Sequence, residues 1–250
     1  MKNTRKLILL ALVFFAIYQI HDYSWPLLSR SEASASALRD TDSFDRIELH
    51  NDISGTVLLG TQHQVEIIAE ERLLRHVRTQ VHGGALRIDR ATNWLLPWTR
   101  RGDVAVIITT PNVTGLQTSG ASSLQMEDVV EQPELSLQSS GASELRVAVA
   151  VDELHAQSSG ASDLHVRGRA SHANLRSSGA SDIHAGELQT ATARVQASGS
   201  SDIRITVTDS VSGQLSGAAD LHLGGNPTVD VNTSGSASIQ MSARWVERNQ

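Results

Sequence analysis

The sequence contains no cysteine, and aromatic residues make up only 4% of its 250 residues. A chain without cysteine has neither a disulfide framework nor a thiolate metal centre to stabilise it. Few aromatic residues indicate a narrow core built from Leu, Ile, Val and Ala. Lysine is nearly missing too, and the formal net charge is −6. This charge balance excludes the basic surface on which nucleic-acid binding depends.

The chain begins with an apolar segment of the targeting type. Lys2, Arg5 and Lys6 precede an uncharged run over residues 7–20. This run is shorter than the roughly 20 residues of a membrane span and fits a secretory signal. We therefore predict that residues 1–29 are either a cleaved signal peptide or an N-terminal anchor in the inner membrane. In both cases the remaining chain is exported to the periplasm or cell envelope.

Two different kinds of sequence follow this segment. Residues 30–41 are polar and are interpreted as a linker. Residues 42–116 contain several short runs of alternating apolar and polar residues, which predict strands and an N-terminal β-rich cap. Within the cap we expect one helical turn at residues 70–76 and a hairpin turn at Gly83 and Gly84.

A Ser-Gly phrase then recurs seven times at intervals of 18 to 21 residues. Repetition at this period is typical of a solenoid, in which each unit buries its apolar face against its neighbours. The serine before each glycine predicts a column of hydroxyl hydrogen bonds between coils. The glycines of the phrase are Gly120, Gly141, Gly160, Gly179, Gly199, Gly217 and Gly235.

The residues around each glycine alternate with period two. The fourth and sixth residues after each glycine are apolar, and the fifth is polar. In front of the glycine, the fourth residue is apolar in six units, with Gly213 the exception, and the third is polar in all seven. Period two indicates strands with one buried face. The sequence therefore predicts an all-β fold, a single-stranded parallel β-helix of about seven coils over residues 117–243, followed by a tail at 244–250. We expect the helix to be right-handed, because the sterics of strands favour right-handed crossovers.

Charged residues occupy two positions on the outer face of the predicted coils. Acids stand three residues after the glycine and bases stand five after it, and together they form what we call the charged stripe. Its members are Glu144, Asp163, Asp182, Asp202 and Asp220 with Arg146, His165, His184, Arg204 and His222.

Three interpretations of the charged stripe are open. It can be a solvated surface on which opposite charges cancel, or a flat binding surface with regularly spaced donors and acceptors. It can also hold a divalent cation between coils, with Asp163, Asp182 and Asp202 as oxygen ligands. A zinc site is disfavoured, because Arg204 separates His184 from His222.

No cofactor site or catalytic residue can be assigned from the sequence. An enzyme that cleaves envelope polysaccharide, as some β-helices do, needs a cleft with paired carboxylates. The regular coils have no long insertion to build such a cleft. The longest irregular loop, residues 89–102, carries Trp94 and Trp98, which could stack on a sugar or pack against the body of the protein.

The order of segments resembles one known family. Residues 44–49 (FDRIEL), Leu73 and Leu74, and the strand from Val104 to Pro111 that leads into the Ser-Gly-Ala-Ser repeats are similar to the "putative auto-transporter adhesin, head GIN domain" family. The resemblance implies an exported bacterial β-solenoid and supplies no catalytic residues. We expect a non-enzymatic envelope protein, a rigid scaffold or adhesion surface for carbohydrate or protein. The alternative is an enzyme acting on envelope polysaccharide.

Overall fold

A computed structural model describes residues 34–91 and 102–242. Within these ranges the chain forms sixteen strands and one four-residue helix, α1 (Glu71–Leu74). None of the helical segments in this part is long and apolar enough to cross a bilayer. The strands are β1 (Ser34–Arg39), β2 (Arg46–His50), β3 (Ser54–Leu59), β4 (Gln64–Glu70), β5 (Val77–His82), β6 (Ala85–Arg90), β7 (Val104–Thr110), β8 (Gly115–Ser119), β9 (Ser123–Gly141), β10 (Glu144–Gly160), β11 (Asp163–Gly179), β12 (Asp182–Gly199), β13 (Asp202–Leu215), β14 (Asp220–Gly225), β15 (Thr228–Thr233) and β16 (Ser238–Ser242).

The predicted β-solenoid of about seven turns is confirmed. Each long strand from β9 to β12 winds through most of a coil and pairs in parallel with the next coil. The register follows the sequence repeat, so that Leu145 lies beside Leu164, and Leu164 beside Ile183. All three side chains are fully buried. The apolar columns therefore form the core of the rod, as their period predicted.

The repeated glycine forms the corner of each coil. Gly160 has φ +85° and Gly179 has φ +91°, a conformation that disfavours any residue with a Cβ. A Cβ at Gly179 would also lie 2.8 Å from the carbonyl oxygen of Gly160. The backbone is close here because each corner bonds to the one before it, as in Ala180 N–H to Gly160 O at 2.7 Å. The positive φ of the corner and the close approach of the preceding coil's backbone thus both require glycine.

Buried serine pairs fill the space behind three of the corners. They stand two residues before and two residues after the glycine, with Oγ–Oγ distances of 3.0, 2.9 and 2.9 Å. The serine that directly precedes the glycine was expected to carry the hydroxyl column. Instead this serine donates weakly to a backbone carbonyl of the preceding coil in three coils, as Ser140 does to Thr118 O at 3.4 Å. The buried pairs are Ser139–Ser143, Ser158–Ser162 and Ser177–Ser181.

The parallel stack also extends into the region that was predicted to be a cap. β2 pairs with β8, which places His50 beside Ser119, and β3 pairs with β9, which places Ser54 beside Ser123. On their other side, β2 and β3 pair in parallel with β6 and β7. Residues 46–59 therefore form a coil inside the stack, and much of the predicted cap continues the solenoid.

Antiparallel strands cover the N-terminal edge of this stack. β4 pairs with β7, β1 pairs with β4, and β5 pairs with β6, all antiparallel. The expected hairpin at Gly83–Gly84 and the expected helical turn are both present. Within the segment interpreted as a linker, residues 34–39 form β1 and pair along the edge of β4. The targeting segment and the tail at 244–250 lie outside the described residues.

Candidate functional site

The charged stripe is brought together by the register of the coils. Glu144 lies beside Asp163, Asp163 beside Asp182, and the column continues through Asp202 to Asp220. The basic column follows the same pairings from Arg146 to His222. Because the strands are parallel and in register, each column is a straight row with a spacing of about 4.8 Å. The structure therefore places all ten predicted residues on one face.

Contacts between the two columns offset the repulsion within each of them. Within a coil, Arg146 pairs with Glu144, and Arg204 Nη2 donates to Asp202 Oδ2 at 3.0 Å. Between coils, His165 Nε2 lies 3.4 Å from Glu144 Oε1. These pairs are partly exposed, so each contributes little to stability. Their main effect is to fix the direction in which the charged groups point.

His165 and His184 stack at the centre of the stripe. Their ring centroids are 4.5 Å apart and the rings are inclined by 20°. Partial burial lowers the pKa of His165 below its ordinary value of 6.5, and the neighbouring His184 and Arg146 lower it further. Glu144 and Asp163 act against this shift. His165 is therefore held in its neutral form to lower pH than a free imidazole.

One potential metal-binding group occurs in the described part of the chain, at Asp163, Asp182 and His184, with ligand atoms within 4.8 Å of one another. Asp202, the third ligand in the sequence-based hypothesis, is not in this group. Its Oδ2 accepts from Arg204 and its backbone N–H donates to Asp182 Oδ1 at 3.1 Å. The group therefore brings together two of the three predicted ligands with a histidine.

The hydrogen bonds of His184 work against metal binding. Arg204 Nη1 lies 3.0 Å from His184 Nδ1, and a guanidinium has only donors, so Nδ1 must accept. The proton of the neutral ring is then on Nε2, the nitrogen that faces Asp163 Oδ1 at 3.9 Å. A metal ion would need this proton to leave or Arg204 to move.

A second polar column, which the sequence showed without assigning it a role, lies three residues before each glycine. Adjacent coils bring these side chains into register, and we call this column the amide ladder. It runs beside two open grooves, of about 300 and 190 Å³. Its members are Gln117, Gln138, Gln157, Gln196, Gln214 and Asn232, with Arg176 in one coil.

Sequence reasoning also missed a serine–histidine–carboxylate arrangement at the first corner. His50 Nδ1 is hydrogen-bonded to Ser119 Oγ, and His50 Nε2 lies 3.5 Å from Glu48 Oε2. The parallel pairing of β2 with β8 places these residues together. Neither of the two grooves is lined by any of the three. Trp94 and Trp98 lie outside the described residues.

Similar solved structures share this fold. A "putative adhesin" from Bacteroides fragilis is 19% identical with a TM-score of 0.77, covering 85% of this chain and 98% of its own. A "putative lipid binding protein" from Parabacteroides distasonis is 15% identical with a TM-score of 0.64, covering 84% and 96%. A "putative adhesin" from Parabacteroides merdae is 14% identical with a TM-score of 0.64 and the same coverage. At these identities the likeness concerns the fold.

No curated protein matches the sequence. The family model described as "putative auto-transporter adhesin, head GIN domain" matches residues 43–227. This match begins in front of β2 and ends in the last coils, so it includes both the predicted cap and the repeats. The resemblance seen in the order of segments is thereby confirmed, and the chain belongs to the "putative auto-transporter adhesin, head GIN domain" family.

Proposed function

We propose that the protein is an exported, non-enzymatic binding protein of the cell envelope whose charged stripe is its principal contact surface. The observation that carries this proposal is the register of the two columns. Ten ionisable side chains lie in two straight rows on a rigid parallel sheet. A rigid array loses little side-chain freedom on binding, so ordered donors and acceptors bind more favourably than the same groups on a loop.

The names of the related structures support a binding role. Two of them are described as adhesins and one as a lipid-binding protein. A polar ligand suits the charged stripe better than a lipid, because the stripe consists only of ionisable side chains and the exposed large hydrophobic residues are scattered. In the described ranges these are Leu38, Leu59, Val129, Val229 and Met241, each on a different strand.

The proposal is tested by measuring binding and cleavage in one panel of envelope polysaccharides and proteins. We expect at least one partner to bind, with affinity falling as salt rises, because the contacts are ionic. The double variant Asp182→Asn with Arg204→Gln should weaken that binding about tenfold. The double variant Gln189→Ala with Thr192→Ala, on the strand of Asp182 but outside the stripe, is the control. Turnover that a single Asp or Arg substitution abolishes would overturn the non-enzymatic assignment.

Export is tested separately. A reporter that is active only outside the cytoplasm, fused after Gln250, should be active in cells that carry residues 1–29 and inactive without them. Activity of a cytoplasmic reporter at the same position would contradict export. N-terminal sequencing of the mature protein then distinguishes a cleaved signal from an anchor.

A further inference from the structure

The larger of the two grooves lies along the amide ladder, at positions of the repeat that precede the glycine. It has a volume of about 300 Å³ and spans three neighbouring coils. Gln138 and Gln157 stand in register along it, and Arg176 follows them in the next coil. The groove and the charged stripe occupy different columns of the repeat, so ligands could bind to either without the other.

The carboxamides along this groove are free to bind. Gln138 and Gln157 are exposed, and neither side chain makes a hydrogen bond or ion pair within the described structure. Each carboxamide offers two N–H donors and a carbonyl acceptor. Successive coils therefore present the same donor–acceptor group at a repeat of about 4.8 Å. Asn174 also lines the groove, and its Oδ1 is buried without a hydrogen-bond partner in the described residues.

The charges around the groove balance one another. His155 Nε2 lies 3.4 Å from Glu134 Oε1 and 3.2 Å from Glu153 Oε1. These two carboxylates would repel a polyanion at this point. Arg176 lies one coil further along and repels a polycation in turn. The smaller groove repeats the balance with Arg194 and Asp230. A strongly charged polymer of either sign is thus repelled somewhere along the face.

Apolar ligands are equally unsuited to this face. The exposed large hydrophobic residues of the described part are Leu38, Leu59, Val129, Val229 and Met241, and none of them lines either groove. Protein interfaces usually centre on buried aromatic or apolar anchors, which this face lacks. Hydroxyl groups both donate and accept, so they match free carboxamides in either orientation. A chain rich in hydroxyls and without net charge is therefore the complementary ligand.

We propose that this groove binds a neutral polysaccharide laid along the axis of the rod, with its hydroxyl groups hydrogen-bonded to the carboxamides of Gln138 and Gln157. Arg176 and Asn174 line the end of the same groove and supply further donors. The ladder continues through Gln196 and Gln214, so a longer chain would gain contacts coil by coil. The site is separate from the charged stripe and does not depend on the function proposed for it.

The test uses soluble neutral polysaccharides as probes: dextran, galactomannan and mixed-linkage β-glucan, with alginate and heparin as polyanion controls. Binding is measured by affinity electrophoresis and titration calorimetry on the full chain. We expect one or more neutral polymers to bind, and the double variant Gln138→Ala with Gln157→Ala to weaken binding about tenfold or more through the loss of two or more hydrogen bonds. The matched control, Gln125→Ala with Gln240→Ala, removes two carboxamides from another column and should change binding less than about twofold.

Three outcomes would overturn the proposal. The first is that no neutral polymer binds with a Kd below about 1 mM. The second is that the groove variant binds as tightly as the wild type while melting at the same temperature. The third is stronger binding of the polyanions, or loss of neutral-polymer binding in the charged-stripe variant Asp182→Asn with Arg204→Gln alone. Binding of other ligands to the stripe is unaffected by these results, so the two proposals fail independently.

Discussion

Ser201 differs from the equivalent serines in the coils before it. Its Oγ is buried and has no hydrogen-bond partner among the residues that the structure describes. In the coil before, Ser181 Oγ pairs with Ser177 Oγ at 2.9 Å and donates to Ser178 O at 3.0 Å. Ala197 occupies the partner position in the coil of Ser201. Ala197 has a methyl group where Ser177 has a hydroxymethyl group, and the buried Oγ of Ser201 is therefore left unpaired.

We predict opposite effects for the same substitution in these two coils. Ser201→Ala removes an unpaired buried hydroxyl and should stabilise the protein by up to about 1 kcal/mol. Ser181→Ala breaks a paired network and leaves Ser177 without its hydroxyl partner, which should cost about 1–3 kcal/mol. Urea unfolding of the two variants and the wild type measures both changes. Equal destabilisation by both would show that Ser201 is paired after all.

His165 makes stability depend on pH. Because burial, His184 and Arg146 lower its pKa in the folded state, the unfolded chain binds more protons as pH falls below 6.5. The contribution of neutral His165 is therefore fully present above the unfolded pKa and is lost as pH falls through the folded pKa. We expect the Tm of the wild type to drop more between pH 7.5 and 5.5 than that of His165→Gln.

His222→Gln is the control for this prediction, since it removes a histidine from the same column at a different coil. It should retain the part of the pH dependence that His165→Gln removes. If both variants show the full wild-type drop in Tm, other groups cause the acid sensitivity.

At the scale of the element, the corner is the least replaceable part of each coil. Gly179→Ala puts a residue with a Cβ into a left-handed conformation, which costs roughly 1–2 kcal/mol. The new Cβ would also lie 2.8 Å from the carbonyl oxygen of Gly160. We expect a total loss of at least about 2 kcal/mol in the free energy of unfolding. Ser178→Ala, one residue earlier on the exposed corner, is the control and should change stability by less than about 0.5 kcal/mol. A Gly179→Ala protein as stable as the control would contradict the corner geometry.

The charged stripe gives a prediction about calcium. Asp182 and Asp202 already accept hydrogen bonds from a backbone N–H and from Arg204, and His184 is held by Arg204. A cation would have to displace these contacts, so we expect millimolar calcium and a chelator to leave the Tm unchanged. A calcium-dependent rise in Tm that Asp182→Asn removes would instead establish the cation site.

The elements also show which features of the fold could be predicted. Period-two alternation placed Leu145, Leu164 and Ile183 in the core, because strand geometry directly determines which side chains point inward. The first coil was harder, because Asn51 takes the corner position there with φ +65° and no Ser-Gly phrase marks it. Its partners in β8 and β9 are 69 residues away, as Ser119 is from His50, so no local pattern could reveal them.

The candidate site could likewise be predicted from the sequence only in part. Stacking of the charged columns followed from the repeat alone, and the register confirms it. The partners of individual side chains could not be predicted in this way, because Arg204 could reach either Asp202 or His184, and it contacts both. The grooves beside the amide ladder could not be foreseen either, because their depth depends on side-chain packing between coils rather than on residue type.

At the scale of the whole molecule, the repeat should be modular. Deleting residues 161–179, one unit of 19 residues, joins Gly160 to Ala180 and preserves every column. Stability in such arrays is close to a sum of units and their interfaces. We expect the shortened protein to fold with a small decrease in Tm and a proportionally smaller m-value.

A deletion of ten residues, 161–170, provides the contrast because it destroys the alternation across the corner. It should unfold the protein or lower its Tm far more than the longer deletion does. If both deletions were equally tolerated, the coils would not depend on their register.

The position of residues 46–59 has a consequence for how the chain matures. A nascent chain leaves the ribosome or a membrane pore from its N-terminus, and repeat arrays normally assemble in that order. Here β2 and β3 emerge early, but their neighbours are β6 and β7 on one side and β8 and β9 on the other. One edge of the first coil can therefore pair once about residue 110 has emerged, whereas the other edge must stay open until about residue 126 has emerged. Any factor that keeps the chain unfolded during transport needs to shield this segment longest.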